Sequence, residues 1–295
     1  MRCSRSARCM RATAIRWPCS SPRPGRNGKW WNEISATDRE RAACRRCPDR
    51  CAGRCVRSGT SGRCWGPGMS ETVAATLLVI AKAPVAGFAK TRLTPPLTPA
   101  EAATVAAASL LDTLDTVRRS GIRHRVVAFT GDIAAAESGA ELSRMLGEFE
   151  IVPQRGSTFG ERLANAHADA ARWGAPVLQI GMDTPQLAPA TLTAAARLLT
   201  GTGDAVLGPA ADGGWWALGL PSPQPARALV TVPMSTDRTG ALTRKAVRDR
   251  GLRVRNLPLY RDVDTFDDAL LVAAETRGRF TDVLTELSDR RMALR

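Results

Sequence analysis

Three cations, Lys82, Lys90 and Arg92, stand within eleven residues of a 295-residue chain, in the run Lys82-Ala-Pro-Val-Ala-Gly-Phe-Ala-Lys-Thr-Arg92. Pro84 and Gly87 between them enforce an irregular loop whose backbone N–H groups can face an anion. Arginine offers a planar fork and lysine a compact charge to phosphate oxygens. Lys82, Pro84, Gly87, Lys90, Thr91 and Arg92 therefore form a candidate phosphate-binding set, weighed against a solvated charged loop. Lys90-Thr91 looks like the end of a P-loop, but Pro84 and Ala89 stand where that motif requires glycine.

Further along, Gly181-Met-Asp-Thr-Pro-Gln-Leu187 presents Asp183 ahead of a proline that keeps it out of a helix. A carboxylate so placed can ligate a divalent cation bridging a diphosphate, or it can cap a local turn. In Gly208-Pro-Ala-Ala-Asp-Gly-Gly-Trp-Trp216, Asp212 is a candidate general base or hydrogen-bond acceptor. Gly213 and Gly214 permit close approach by a ligand; Asp-Gly-Gly also makes a plain hairpin turn. Trp215 and Trp216 point to opposite faces of an extended strand, one to the core and one to a sugar or base pocket. Asp262 and Asp264 share one side of an extended segment, and Asp264 is a second candidate metal ligand, while Thr265 and Asp268 make a helix-capping pair. Thr158-Phe-Gly-Glu-Arg162 and Met234-Ser-Thr-Asp-Arg238 read as helix starts.

Composition narrows the chemistry. All eight cysteines and four of the seven tryptophans precede Met69. Residues 1–68 hold 16 of the 42 Lys and Arg but only 4 of the 28 Asp and Glu, so the net charge of +14 belongs almost wholly to that stretch. With little periodic apolar content, it is expected to be a disordered Arg/Cys-rich extension upstream of a true start at Met69. It lacks the apolar core of a secretory signal. Residues 69–295 are nearly charge-balanced, which argues against a nucleic-acid partner. With no cysteine and only His124 and His167, that part excludes thiol chemistry and thiolate or multi-histidine zinc sites. Any metal is expected to be magnesium or manganese on oxygen ligands.

The elements that must position these residues alternate. Strands are predicted at 76–81, 125–129, 149–153, 177–180, 205–208, 215–220 and 252–257. Helices are predicted along a stripe from Ala103 to Val117, near 133–146, 159–173, 192–199, 239–250 and 266–276. Thr98-Pro-Ala-Glu101 supplies a capping box for the first helix. The alternation predicts one α/β domain over 69–295, a three-layer α/β/α arrangement on a mainly parallel, Rossmann-like sheet. Ligands in such sheets bind beyond the carboxyl ends of strands, where the residues above fall. The apolar run before Lys82 is too short to cross a bilayer.

Four ordered blocks resemble the glycosyltransferase-A-like family of radical-SAM and selenodomain-associated transferases, a domain of unknown function. They are Lys82, Pro84, Gly87, Lys90, Thr91, Arg92 and Leu93; Gly181, Asp183, Pro185 and Leu187; Gly208, Pro209, Asp212, Gly213, Gly214 and Trp215; and Asp262, Val263, Asp264 and Thr265. The likeness spans about Leu77 to Asp282. It implies a nucleotide-diphospho-sugar transferase fold, with a nucleotide between the first loop and Asp183 and a Mg or Mn ion near its diphosphate. The family more usually carries a phenol where this chain has Trp215-Trp216.

The expected function is glycosyl transfer from a nucleotide-diphosphate sugar in the cytoplasm, without membrane insertion. Lys90 and Arg92 would neutralise the phosphates, Asp183 and Asp264 hold the metal, Asp212 deprotonate the acceptor, and Gly213, Gly214 and Trp215 contact substrate. Two alternatives stay open. One is nucleotidyl transfer from a nucleoside triphosphate, as in phospholactate guanylyltransferase; the other is a non-catalytic nucleotide-binding module.

Overall fold

The computed structural model describes residues 72–174 and 176–293. The expectations for residues 1–68 lie outside them. Ten consecutive residues dominated by Val, Leu, Ile and Ala form β1 (Val73–Lys82), most of whose positions are buried, as a strand covered on both faces requires. Thr98 caps α1 (Pro99–Arg119): its Oγ1 accepts from Glu101 N, and Glu101 accepts from Thr98 N. Then follow β2 (Ile122–Thr130), α2 (Gly139–Leu146), β3 (Glu150–Pro153), α3 (Phe159–Ala170), β4 (Val177–Ile180) and α4 (Pro189–Thr202). The chain continues through β5 (Ala205–Pro209), β6 (Trp215–Leu220), α5 (Thr239–Arg248), β7 (Val254–Asn256), α6 (Phe266–Glu275) and α7 (Arg279–Ala293).

The strands pair into one seven-stranded sheet of order β3-β2-β1-β4-β6-β5-β7. Every pairing is parallel except those of β6, which runs against both β4 and β5. The carboxyl ends of β1, β4, β5 and β7 and the amino end of β6 therefore share one edge. On one face, α1, α2 and α4 bury Leu110, Leu142, Leu192 and Leu199 against β1 and β4. On the other, α3, α5 and the 3-10 run Gln224–Thr231 cover β4, β5 and β6 through Leu163, Leu229 and Val247. The predicted three-layer architecture is the observed one. α6 and α7 pack on the outer side of α1 through Val272, Phe280 and Leu284.

Three local differences have physical causes. The helix expected over 133–146 is broken: Asp132 caps a 3-10 turn at Ile133–Ala135, the chain turns through left-handed Ser138, and α2 starts only at Gly139. A side chain at Gly139 would strike the Ile133 carbonyl, so the break is built around that close approach. The 3-10 run 224–231, rich in Ala and Pro, gave no periodic signal. Nor did α7, whose charged surface outweighs a narrow stripe of Phe280, Leu284 and Leu287. No described helix is long and apolar enough to cross a membrane.

Candidate functional site

Beyond the shared sheet edge lies a cavity of about 420 Å³. The loop after β1 reaches it through Arg92; the loop after β4 through Asp183 and Thr184; the β5–β6 hairpin through Asp212, Gly214 and Trp215; the loop before α5 through Met234 to Asp237; and the segment after β7 through Asp262 and Asp264. The four expected blocks thus converge, as the rule for parallel sheets requires.

One lysine ties three of these loops together. Lys90, in a left-handed conformation (φ 53°), places Nζ 2.7 Å from Asp183 Oδ1 and donates to the carbonyl of Val263. Val263 N in turn donates to Asp183 O at 2.8 Å. The Lys90 side chain is only 9% exposed. Its charge is therefore committed to Asp183, and the expectation that Lys90 offers itself openly to phosphate is replaced by a positioning contact. Lys82 is turned another way: Nζ donates to Phe88 O at 2.9 Å and lies over the Phe88 ring. Burial pulls its pKa down, with Lys90 adding to that pull and Asp183 opposing it. Gly87 and Thr91 face a separate hollow of about 110 Å³, with Ala89, Thr94 and Pro99. Pro84 is buried and accepts from Glu137 N. Of the six candidate phosphate ligands, only Arg92 lines the main cavity.

Arg92 is 66% exposed and binds Asp264 Oδ2 through one guanidinium nitrogen at 2.6 Å. Four more aspartates, Asp183, Asp212, Asp237 and Asp262, line the same space. Asp262 is half-buried, and its carboxyl is pushed up to about 6, chiefly by burial and then by the nearby Asp212; Asp183 adds to the shift. Asp262 and Asp264 both line the cavity, as their shared side of an extended segment implies. Asp237 went unassigned; Thr236 and Thr239, hydrogen-bonded to each other, fix its loop at the start of α5.

The β5–β6 hairpin uses Asp-Gly-Gly as its turn. Asp212 Oδ1 accepts from Gly214 N at 2.7 Å, a turn-stabilising bond, while the exposed residue still lines the cavity. Gly213 (φ 88°) is needed for contact with the chain rather than with a ligand, since a Cβ there would collide with the Asp237 carbonyl. Trp216 is the core residue, 3% exposed, packed edge-on against Tyr260 and donating to Pro258 O. Trp215 is half-buried on the α3 and α5 side, its indole N–H directed to Thr243 Oγ1 at 3.2 Å.

The donor set suits a hard cation. Five carboxylates dominate the metal-capable lining, and neither thiol nor imidazole is among the lining residues. Among the described residues no three such side chains are already gathered into a coordination cluster.

Residues 113–236 match the family described as "Uncharacterized protein conserved in bacteria (DUF2064)". No curated protein matches the chain. The crystal structure of a "putative nucleotide-diphospho-sugar transferase" from Desulfovibrio desulfuricans G20 is similar, with 25% sequence identity and a TM-score of 0.63 over 75% of this chain and 96% of that one. The structure of Rv0371c from Mycobacterium tuberculosis H37Rv is 21% identical, with a TM-score of 0.45 over 67% and 97% of the two chains. A cytidylyltransferase from Leptospira borgpetersenii is 12% identical, with a TM-score of 0.46 over 75% and 96%.

Proposed function

We propose that this chain is a divalent-metal-dependent transferase that moves a glycosyl group from a nucleotide-diphosphate sugar to a small acceptor. The observation that carries the reading is the charge of the cavity: five aspartates, Asp183, Asp212, Asp237, Asp262 and Asp264, face one lining cation, Arg92. A diphosphate brought unaided into such a space meets net repulsion. A hard cation would offset that repulsion, and Asp183 with Asp262 or Asp264 would hold such an ion. Bound there, magnesium or manganese supplies electrostatic stabilisation to the departing diphosphate. The similarity to the Desulfovibrio protein supports a nucleotide-sugar substrate.

The chain's own residues do the rest. Arg92 is exposed and able to exchange Asp264 for phosphate oxygens, which it meets with a planar fork. Lys90 holds Asp183 in place. Asp212 has Oδ1 engaged by Gly214 N–H and keeps Oδ2 for the acceptor proton. In the reaction the bond from the anomeric carbon to the diphosphate oxygen breaks and the oxygen keeps the electron pair. A bond from the acceptor oxygen to that carbon forms, and the acceptor proton passes to Asp212. Trp215 offers a flat wall to the substrate.

The test is a thermal-shift screen of nucleotides and nucleotide sugars with and without manganese. Manganese-dependent stabilisation by diphosphate sugars, lost in Asp183→Asn, is the expected result. Stabilisation by nucleoside triphosphates alone, with pyrophosphate release, would replace glycosyl by nucleotidyl transfer. Nucleotide binding that is indifferent to Asp183→Asn, with no turnover, would make the protein a binding module.

A further inference from the structure

Gln179 is a polar residue in an apolar layer. The register of β4 sets it opposite Leu78 of β1 and Leu218 of β6, both fully buried, on the sheet face that α3 covers. It is 1% exposed, and its Oε1 has no hydrogen-bond partner among the described residues. An unpaired amide oxygen in the interior is costly unless a partner arrives. Gln179 also lines the cavity, where Ile80, Leu163, Trp215 and Met234 form an apolar wall and Phe159, 41% exposed, stands at the cavity's edge. Because the Trp215 N–H is already bonded to Thr243, that wall offers ring and aliphatic carbon rather than a donor.

We propose that this recess is the acceptor subsite, and that it takes a flat, apolar-faced ring bearing a hydroxyl or amine that donates to Gln179 Oε1. The assignment rests on the transferase reading above and extends it to the acceptor's chemistry. The group held by Gln179 is not the one that reacts. Gln179 sits within β4, whereas the proton-accepting Asp212 stands in the hairpin beyond β5. The acceptor therefore carries at least two polar groups on an apolar skeleton, one buried for recognition and one presented for transfer. A site built around an unpaired acceptor rejects an analogue lacking the donor more strongly than it rewards extra apolar surface.

The experiment uses the full chain and two probes of the same ring, phenol and toluene, followed through the Trp215 indole N–H resonance. Phenol is expected to bind about tenfold more tightly than toluene, one added hydrogen bond outweighing its better hydration. In Gln179→Met the preference should vanish or reverse, and Met234→Trp should weaken both probes by filling the recess. Gln179→Asn, which withdraws the amide by one methylene, serves if the Met variant does not fold, and should also lose the preference. Equal binding of the two probes by the wild-type chain, or binding of neither, overturns the proposal without need of any variant. A nucleotide diphosphate with manganese should bind beside phenol; displacement of phenol would make the recess a nucleobase pocket and overturn the acceptor assignment. Retained phenol selectivity in a protein that binds no nucleotide would instead remove the transferase reading and leave the recess as a ring-binding site.

Discussion

Lys90 Nζ lies 2.7 Å from Asp183 Oδ1, and the two residues are joined a second time through Val263, whose carbonyl takes a hydrogen bond from the lysine and whose N–H gives one to the Asp183 carbonyl. The loops after β1, β4 and β7 are thereby closed into one ring around a single ammonium. The arrangement leaves the Asp183 side chain 40% exposed while its Lys90 partner is almost covered. An acid on the cavity wall is thus oriented by a base behind it.

Removal of the Lys90 charge should accordingly act through Asp183. Lys90→Met is expected to destabilise the chain by about 1–3 kcal/mol, less than a fully buried pair would give because Asp183 is partly solvated. Turnover should fall about 10²–10³-fold, with manganese affinity reduced alongside. Urea denaturation and manganese titration of the variant check both parts; wild-type manganese affinity in Lys90→Met would exclude the positioning role.

Much of this ring was legible in the sequence, and its wiring was not. Asp183 and the Lys90 loop announce themselves because each follows an apolar strand, and parallel topology brings such ends together. The identity of Lys90's partner depends on a left-handed turn at Lys90 itself and on the register of the 262–264 segment, neither of which a local pattern encodes. Gln179 was hidden for a related reason: a single amide inside Val-Leu-Gln-Ile reads as strand, and only pairing with β1 and β6 shows which face it occupies. The antiparallel sense of β6 is what the hairpin reading of Asp-Gly-Gly implies, since a tight turn joins antiparallel strands.

Asp212→Asn separates catalysis from folding. Asparagine retains an oxygen for the Gly214 N–H, so the turn and the melting temperature should stay near wild type. As a proton acceptor it fails, and kcat should drop about 10²–10⁴-fold with nucleotide affinity unchanged. Steady-state kinetics beside nucleotide titration reads the two effects independently.

Gly213→Ala tests the packing of the hairpin against the loop before α5. The residue has φ 88°, and a Cβ there would overlap the Asp237 carbonyl, a backbone atom that cannot swing aside. A loss of at least about 2 kcal/mol is expected from conformational strain and overlap together. Chemical denaturation measures it; a change within about 0.5 kcal/mol, ordinary for surface positions, would show that the hairpin relaxes freely.

His167 sets a limit on acid stability. It lies wholly buried in α3, neither ring nitrogen has a hydrogen-bond partner among the described residues, and burial lowers its pKa from 6.5 to about 3. The unfolded chain therefore binds a proton below pH 6.5 that the folded chain refuses until about pH 3. Above 6.5 both states are neutral at this position and it contributes no pH dependence. As the pH falls through the interval, the unfolded state gains about 1.4 kcal/mol per unit, approaching about 5 kcal/mol in all. His167→Leu removes the titrating group, so its stability relative to wild type should rise with that slope between pH 6 and pH 4 and stay level from pH 7 to pH 8. Paired urea curves across the range check the prediction, and parallel pH profiles for the two proteins would mean that His167 is protonated as readily inside the fold as outside it.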